Sequence, residues 1–331
     1  MSSRFPGFAP LRDFFARAAR EPVLSIMIFH RVLAKSDPMV AGAVTHREFS
    51  DIARLVRQNF ACYPLSEAVA RLDAGTPGHM VSMTFDDGYA DNFEIALPVL
   101  RRYGLPATVF VAARYLDGGI MWNDVVGEAI AKTRRPKLDC EYLDGDKLHL
   151  DSILERQHAR KRVIGTLKYL PQGERERRAW DLARRLDVVP RSDLMLTRGQ
   201  LKRLADDPLI EIGGHTYSHP ILARTDEAAA VYEMSEGKKI LEAITQQPVA
   251  GFAYPNGQPG RDYRPEHARM ARDTGFAYAV STEWGAARTS ADRFQLPRFT
   301  PWHRKRLRFM MSLLKMARKH CDVPRRGDHA A

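Results

Sequence analysis

Short apolar runs punctuate this chain, each ending in polar or turn residues. The first, Val23-Leu24-Ser25-Ile26-Met27-Ile28-Phe29, stops at His30. Runs of that length, flanked by breakers, predict buried strands. Further runs lie over 80–85, 107–112, 209–213, 249–254, 276–280 and 294–299. Helical spacing fills the gaps between them. Phe49, Ile52, Leu55 and Val56 share one face of a helix, with Thr45 as its N-cap and Glu48 completing a capping box. Helices are also predicted over 66–73, over 93–103 with an interruption at Pro98 and a stop at Gly104, from Thr197 to Ala205, over 227–244, and over 263–274 ahead of Gly275. Strands alternating with helices predict parallel βα units. The fold class is therefore α/β, a seven-stranded and irregular (β/α) barrel over 22–301. An open Rossmann-type sheet is the rival, but no G-x-G-x-x-G follows the first strand.

The alternation breaks over 122–193, a helical and basic insertion that packs beside the barrel or over its mouth. An amphipathic segment with Phe8, Leu11, Phe14 and Phe15 occupies 1–21, and a basic helix and tail occupy 302–331. In that tail Leu307, Met310, Met311 and Leu314 fall on one helical face between basic clusters. Such a helix either docks on the barrel or makes a peripheral contact with an anionic membrane.

The formal net charge of +11 favours anionic partners without choosing among them. Base-stacking aromatics are not interleaved with the basic clusters, so nucleic acid is not expected. Three widely spaced cysteines give no disulfide framework or cysteine-based metal site. No signal-like apolar stretch and no run long enough to span a bilayer is found, which makes the cytoplasm, or the inner membrane face, the expected location.

Chemistry concentrates where the predicted strands end, the face that carries active sites in barrels of this kind. The run over 80–85 terminates in Asp86-Asp87-Gly88. Adjacent strand residues point opposite ways, so only a break in the strand brings both acids to one site. Two carboxylates that close call for a cation, with one acid ligating and the other free to take protons. The same triplet also suits an ordinary Asx turn. The run over 209–213 leads into His215-Thr216-Tyr217-Ser218-His219-Pro220. Four-residue spacing on a single helical turn would face both imidazoles to one divalent cation. One Asp and two His leave positions open for water and substrate, which suits metal-assisted hydrolysis of an amide or ester, with Zn²⁺ as the expected ion.

These residues resemble the polysaccharide deacetylase family, the carbohydrate esterases with a chitooligosaccharide-deacetylase homology domain. Thr84-Phe85-Asp86-Asp87-Gly88 matches its first motif and His215-Thr216-Tyr217-Ser218-His219 its second. The resemblance implies Asp86 as general base, Asp87, His215 and His219 as metal ligands, and an N-acetylated oligo- or polysaccharide, or a lipid-linked saccharide, as substrate. The third motif is partial: Ala253-Tyr254-Pro255-Asn256-Gly257 has alanine where the family often has arginine. Another group must then orient Asp86, with Arg298 and Arg31 as candidates, and Tyr254, Asn256 and Arg298 are the candidates to face substrate. The late Leu-x-His motif has no counterpart, Leu296-Pro297-Arg298 standing in its place. His30-Arg31-Val32 resembles a stretch of the exopolysaccharide-associated members, so His30 is the candidate catalytic imidazole, with His303 as the alternative. Asn123 and Asp124 either touch substrate or cap a helix, and capping is the favoured reading. A non-catalytic glycan-binding relative and an amidase on a small non-sugar amide are the competing readings.

Overall fold

A computed structural model describes residues 21–40, 42–139, 147–301 and 306–318. The N-terminal amphipathic segment and His303 lie outside them. Seven parallel strands form the barrel: β1 (Pro22–Phe29), β2 (Gly78–Phe85), β3 (Ala107–Val111), β4 (Ile210–Gly214), β5 (Gly251–Ala253), β6 (Tyr278–Trp284) and β7 (Leu296–Phe299). Their order is β1-β7-β6-β5-β4-β3-β2, and β2 returns to β1 in register from Pro22↔Gly78 to Phe29↔Phe85. The sheet is therefore closed, as the seven apolar runs predict. A short strand, Ala61–Cys62, lies along the start of β2 without entering the closure.

The period of two sorts side chains into layers. Leu24, Ile26, Phe110, Ala253, Val280 and Leu296 belong to one cluster, joined by Leu65, Ala68, Val69 and Leu72 of a helix over Leu65–Asp73. Their neighbours Met27, Phe29, Val81, Met83, Phe85, Val109 and Val111 belong to another, shared with the outer helices. Buried on both faces, the strands read as continuous apolar runs, as parallel strands do. The polar exceptions are satisfied locally: Thr84 Oγ1 donates to the Met27 carbonyl at 2.8 Å and Ser82 Oγ to the Tyr63 carbonyl at 3.0 Å.

Helix boundaries follow their caps. Thr45 and Glu48 close the capping box that starts His46–Asn59, and Thr197 with Gln200 does the same for Arg198–Ala205. The expected break at Pro98 takes another form. A π-turn over Asn92–Ala96 precedes a helix over Leu97–Tyr103, so Pro98 sits in a first turn where its missing N–H costs nothing. Gly104, at φ 59°, ends that helix.

The insertion carries its own core. Trp122, Val125, Val126, Ala129, Ala159, Val163, Leu167, Ala179 and Leu182 pack together from the helices Trp122–Lys132, Ile153–Leu167 and Gln172–Arg185. A helix over Arg306–Arg318 returns to the barrel, burying Phe309, Met310 and Leu313 in the main core. Its docked face is thus rotated from the expected one: Met311 is exposed, and Leu307 and Leu314 lie outside the described side chains. Among the described residues no helix is long and apolar enough to cross a membrane.

The long helix Glu227–Thr245 packs so closely on the loop after β4 that a Cβ on Gly237 would lie 2.7 Å from the Thr216 carbonyl carbon. Gly237→Val should therefore cost about 1–3 kcal/mol through overpacking. A lowered urea midpoint at unchanged slope is the expected readout.

Candidate metal centre

β2 delivers the acid pair. Asp86 N still donates to the Phe29 carbonyl at 2.9 Å, after which the chain breaks: Asp87 has φ 77° and Gly88 φ 86°. The left-handed conformation at Asp87 cancels strand alternation and turns the second carboxylate to its own partners. Gly88 is required twice over, since a Cβ there would also lie 2.9 Å from Val111 Cγ1. The loop is then clamped. Gly88 O accepts from Leu196 N at 2.9 Å, and Tyr89 Oη donates to Asp124 at 2.9 Å. Asp91 accepts from Arg31 Nε at 2.8 Å and Val32 N at 3.0 Å, and Asn92 Nδ2 donates to the His30 carbonyl at 2.9 Å. Asp91 and Asn92 thus fix the loop that bears His30.

Arg298 resolves the question of what orients Asp86. It is fully buried on β7, and its fork reaches both Asp86 oxygens at 2.7 Å, while Nε donates to the Ser281 carbonyl at 2.9 Å. Burial alone would raise the Asp86 pKa; Arg298 outweighs it and holds the carboxyl below its ordinary value. Arg31 has no part in this, being paired with Asp91. The expectation that Arg298 faces substrate is corrected: buried behind Asp86, it has no exposed surface. Tyr254 is corrected likewise. Its ring is buried, stacked on Tyr263 at 3.8 Å between centroids, and its hydroxyl donates to the Phe294 carbonyl at 2.9 Å.

Asp87, His215 and His219 come together as donors within 4.8 Å of one another. The histidines reach this geometry without a helical turn, contrary to expectation. The segment after β4 is a loop with Thr216 at φ 64° and His219 at φ 56°, closed by His219 N donating to Thr216 Oγ1 at 3.0 Å. Glu233 pins it from the long helix, accepting from Ser218 N at 2.7 Å and Ser218 Oγ at 2.5 Å. Tyr115 Oη donates to the Ser218 carbonyl at 2.9 Å.

The donor set fits a divalent cation on the atoms themselves. His215 Nδ1 lies 2.7 Å from the Ala253 carbonyl, which only accepts, so Nδ1 carries a proton and Nε2 faces Asp87. Burial would lower this ring's pKa, but Asp87 outweighs it, so Nε2 is open to a proton or to a cation in its place. That Nε2 and the His219 Nε2 each lie 3.4 Å from Asp87 Oδ1, a buried oxygen with no hydrogen-bond partner. Ring nitrogens converging on an orphaned carboxylate oxygen want a cation between them. Burial pushes the His219 pKa down to about 3, keeping it in the neutral form a ligand requires. Burial opposes ionisation of Asp87, yet the surrounding imidazoles of His215, His30 and His219 hold it below the usual carboxylate range.

A cavity of about 350 Å³ opens above these groups. His30, Asp86, Asp87, His215, His219 and Asn256 all line it, Asn256 at φ 59° in the Pro-Asn-Gly turn. The insertion supplies the facing wall, including Trp122, Asn123, Arg160, Lys168 and Arg175, and so covers the mouth. Neither Asn123 nor Asp124 caps a helix; Met121 occupies that position without a side-chain bond. Asp124 instead holds Tyr89, and burial raises its pKa to about 6.

The pattern of the polysaccharide deacetylase family matches residues 73–138 and 189–279, bracketing both motifs and omitting most of the insertion. The chain belongs to the polysaccharide deacetylase family. The Bacillus subtilis protein YxkH, named for this family, is 25% identical over 218 residues, 66% of this chain. The chain spans 50% of that relative's length. The Streptococcus pyogenes deacetylase PplD, solved in complex with acetate, superposes with a TM-score of 0.59 at 17% identity, over 90% of this chain and 99% of PplD. IcaB from Ammonifex degensii gives 0.57 at 19%, over 88% and 97%. At these identities the structures establish a shared barrel.

Asp87→Ala, His215→Ala and His219→Ala should each abolish stoichiometric metal, as measured by elemental analysis, because three protein ligands are the minimum for such a site. Arg298→Lys should retain metal but lose roughly 10²-fold in turnover, since a lysine keeps the charge and not the fork. Weaker pairing lets burial raise the Asp86 pKa, so the acidic limb of the kcat/KM profile should move to higher pH. An unshifted limb would separate Asp86 ionisation from Arg298.

Proposed function

We propose that this deacetylase-family hydrolase removes N-acetyl groups from an N-acetylated glycan or glycan precursor, with Zn²⁺ as its ion. The observation that carries this reading is the separation of roles between two consecutive carboxylates. Asp86 is held ionised by Arg298, which takes both its oxygens, while Asp87 offers an unpartnered oxygen beside the histidines. A purely structural metal site has no need of the first acid.

A divalent cation on Asp87, His215 and His219 would supply Lewis acidity, polarising an acetamide carbonyl and acidifying water. Asp86, on the cavity floor, takes the proton of the attacking water. Arg298 restricts that carboxylate to one plane and keeps it unprotonated between turnovers. His30, at the cavity rim, is placed to give a proton to the departing amine as the C–N bond breaks and acetate forms. Asn256 and Thr282 line the cavity on the barrel side and are available to the sugar. The closed barrel contributes rigidity: β1 and β7, which lead to His30 and carry Arg298, are paired directly through Ile26↔Arg298.

Metal-stripped protein reloaded with Zn²⁺ should release acetate from N-acetylhexosamine oligosaccharides. Asp86→Asn should keep its metal while losing roughly 10²- to 10⁴-fold in rate, the range of a general base. A near-normal rate in that variant would remove Asp86 from the mechanism. His30→Ala should slow turnover with metal content unchanged.

A further inference from the structure

The basic residues of the insertion divide into two populations. Several on its surface are paired with carboxylates: Arg135 with Asp187 at 2.6 Å, Arg185 with Asp181 at 2.7 Å and Arg191 with Asp193 at 2.7 Å. Those facing the metal cavity are not. Arg160, Ile164 and Lys168 recur at four-residue intervals on one face of the helix Ile153–Leu167 and its C-cap, and all three line the cavity. Arg175, from the first turn of the next helix, joins them at 3% exposure. Its guanidinium lies 5.0 Å from the Trp122 ring centroid and its Nη1 donates to the Lys168 carbonyl at 3.2 Å, but its Nε has no partner. Arg160 Nε is also buried and unpartnered, in space that Gly127 leaves free: a Cβ there would stand 3.2 Å from it. Unpaired buried donors are rare because each carries an uncompensated desolvation cost.

The nearby acids are committed elsewhere. Asp86 is held by Arg298, and Asp87 faces the two histidines. Asp124, beside Arg160, accepts from Tyr89, and Asp262, near Lys168, accepts from Gln258 N and Tyr169 Oη. Burial lowers the Lys168 pKa, with Asp262 opposing and Arg261 and Arg175 reinforcing the shift. Asp124, Asp262 and Glu176 act on these cations only through space, and among the described residues no ion pair joins Arg160, Lys168 or Arg175 to a carboxylate, so the three form a cationic wall opposite the metal centre.

We propose that this wall is an anion subsite, and that the substrate is an N-acetylated sugar bearing a phosphoryl group, as a phosphate or diphosphate ester. This rests on the deacetylase reading of the metal centre. Guanidinium forks and an ammonium around one space suit a doubly charged tetrahedral anion better than a single carboxylate. The acetamide lies at Asp86 while the phosphoryl oxygens take up Arg160, Lys168 and Arg175.

The test uses the metal-loaded Asp86→Asn protein, which binds substrate without consuming it. Calorimetric titration compares N-acetylglucosamine 1-phosphate, UDP-N-acetylglucosamine, neutral N,N′-diacetylchitobiose and an N-acetylated disaccharide ending in a uronate. Both phosphate esters should bind at least about ten-fold more tightly than the neutral sugar, with the advantage shrinking as salt rises. Arg160→Gln and Lys168→Gln, added singly, should each cut that advantage roughly ten-fold, and Arg160→Lys should restore part of it. Equal binding of charged and neutral sugars overturns the proposal. So does a phosphate preference that survives both glutamine variants, which would place the phosphate on the metal. A preference for the uronate overturns the phosphoryl assignment. Acetate release by wild-type protein is measured separately: release from neutral oligomers with no charge preference sinks the subsite alone, whereas cation-dependent binding without acetate from any glycan sinks the deacetylase reading alone.

Discussion

Two consecutive, buried carboxylates repel each other, and the rest of this active centre follows from how the fold separates them. Left in a regular strand, Asp86 and Asp87 would point to opposite faces, and only one would reach the cavity. The positive φ at Asp87 brings both to the same end of β2 yet gives each a different counterpart. Asp86 receives a full positive charge from across the barrel closure. Asp87 receives two imidazoles from the loop after β4. Neither arrangement works without the other, because an unpaired acid next door would raise the pKa of its neighbour. The left-handed residue costs backbone energy of the order of 1–3 kcal/mol, held in place by the clamps at Gly88, Tyr89, Asp91 and Asn92.

Much of this was legible from the chain. Apolar runs located all seven strands, because strands buried on both faces leave an unbroken hydrophobic signature. Thr45 and Thr197 marked helix starts, since a capping box is a local interaction written within four residues. The acid pair, the histidine pair and the mouth position of His30 and Asn256 were legible for the same reason: each lies directly after a strand. Long-range or conformational features were not. Choosing Arg298 over Arg31 requires knowing that β7 closes onto β1, which in turn pairs with β2, a contact across 212 residues. The histidine loop was mistaken for a helical turn because positive φ at threonine and histidine has no compositional signal. Tyr254 sits in a motif but spends its ring on Tyr263. Glu233 carries no local signal, and Gly237 only the general one that a glycine inside a long helix marks close approach.

The displacement of the orienting arginine shows what the motif actually encodes. Where the family often carries that residue at the end of the fifth strand, this chain has Ala253. The charge beside Asp86 comes instead from β7, where the late histidine motif would fall. A single position thus accounts for two apparent departures. What this chain keeps is a guanidinium beside Asp86, and a closed barrel offers several strands from which to supply it.

The insertion is built around a hydrophobic centre of its own, and meets the reacting groups through few bonds, among them Tyr89 to Asp124 and Gln172 to Ser218. An enclosure with a hydrophobic centre of its own can vary apart from the barrel beneath it. Its helices can exchange charged for neutral residues, lengthen or tilt, while the acids and imidazoles beneath keep their positions. One set of acids and imidazoles can therefore sit beneath different enclosures.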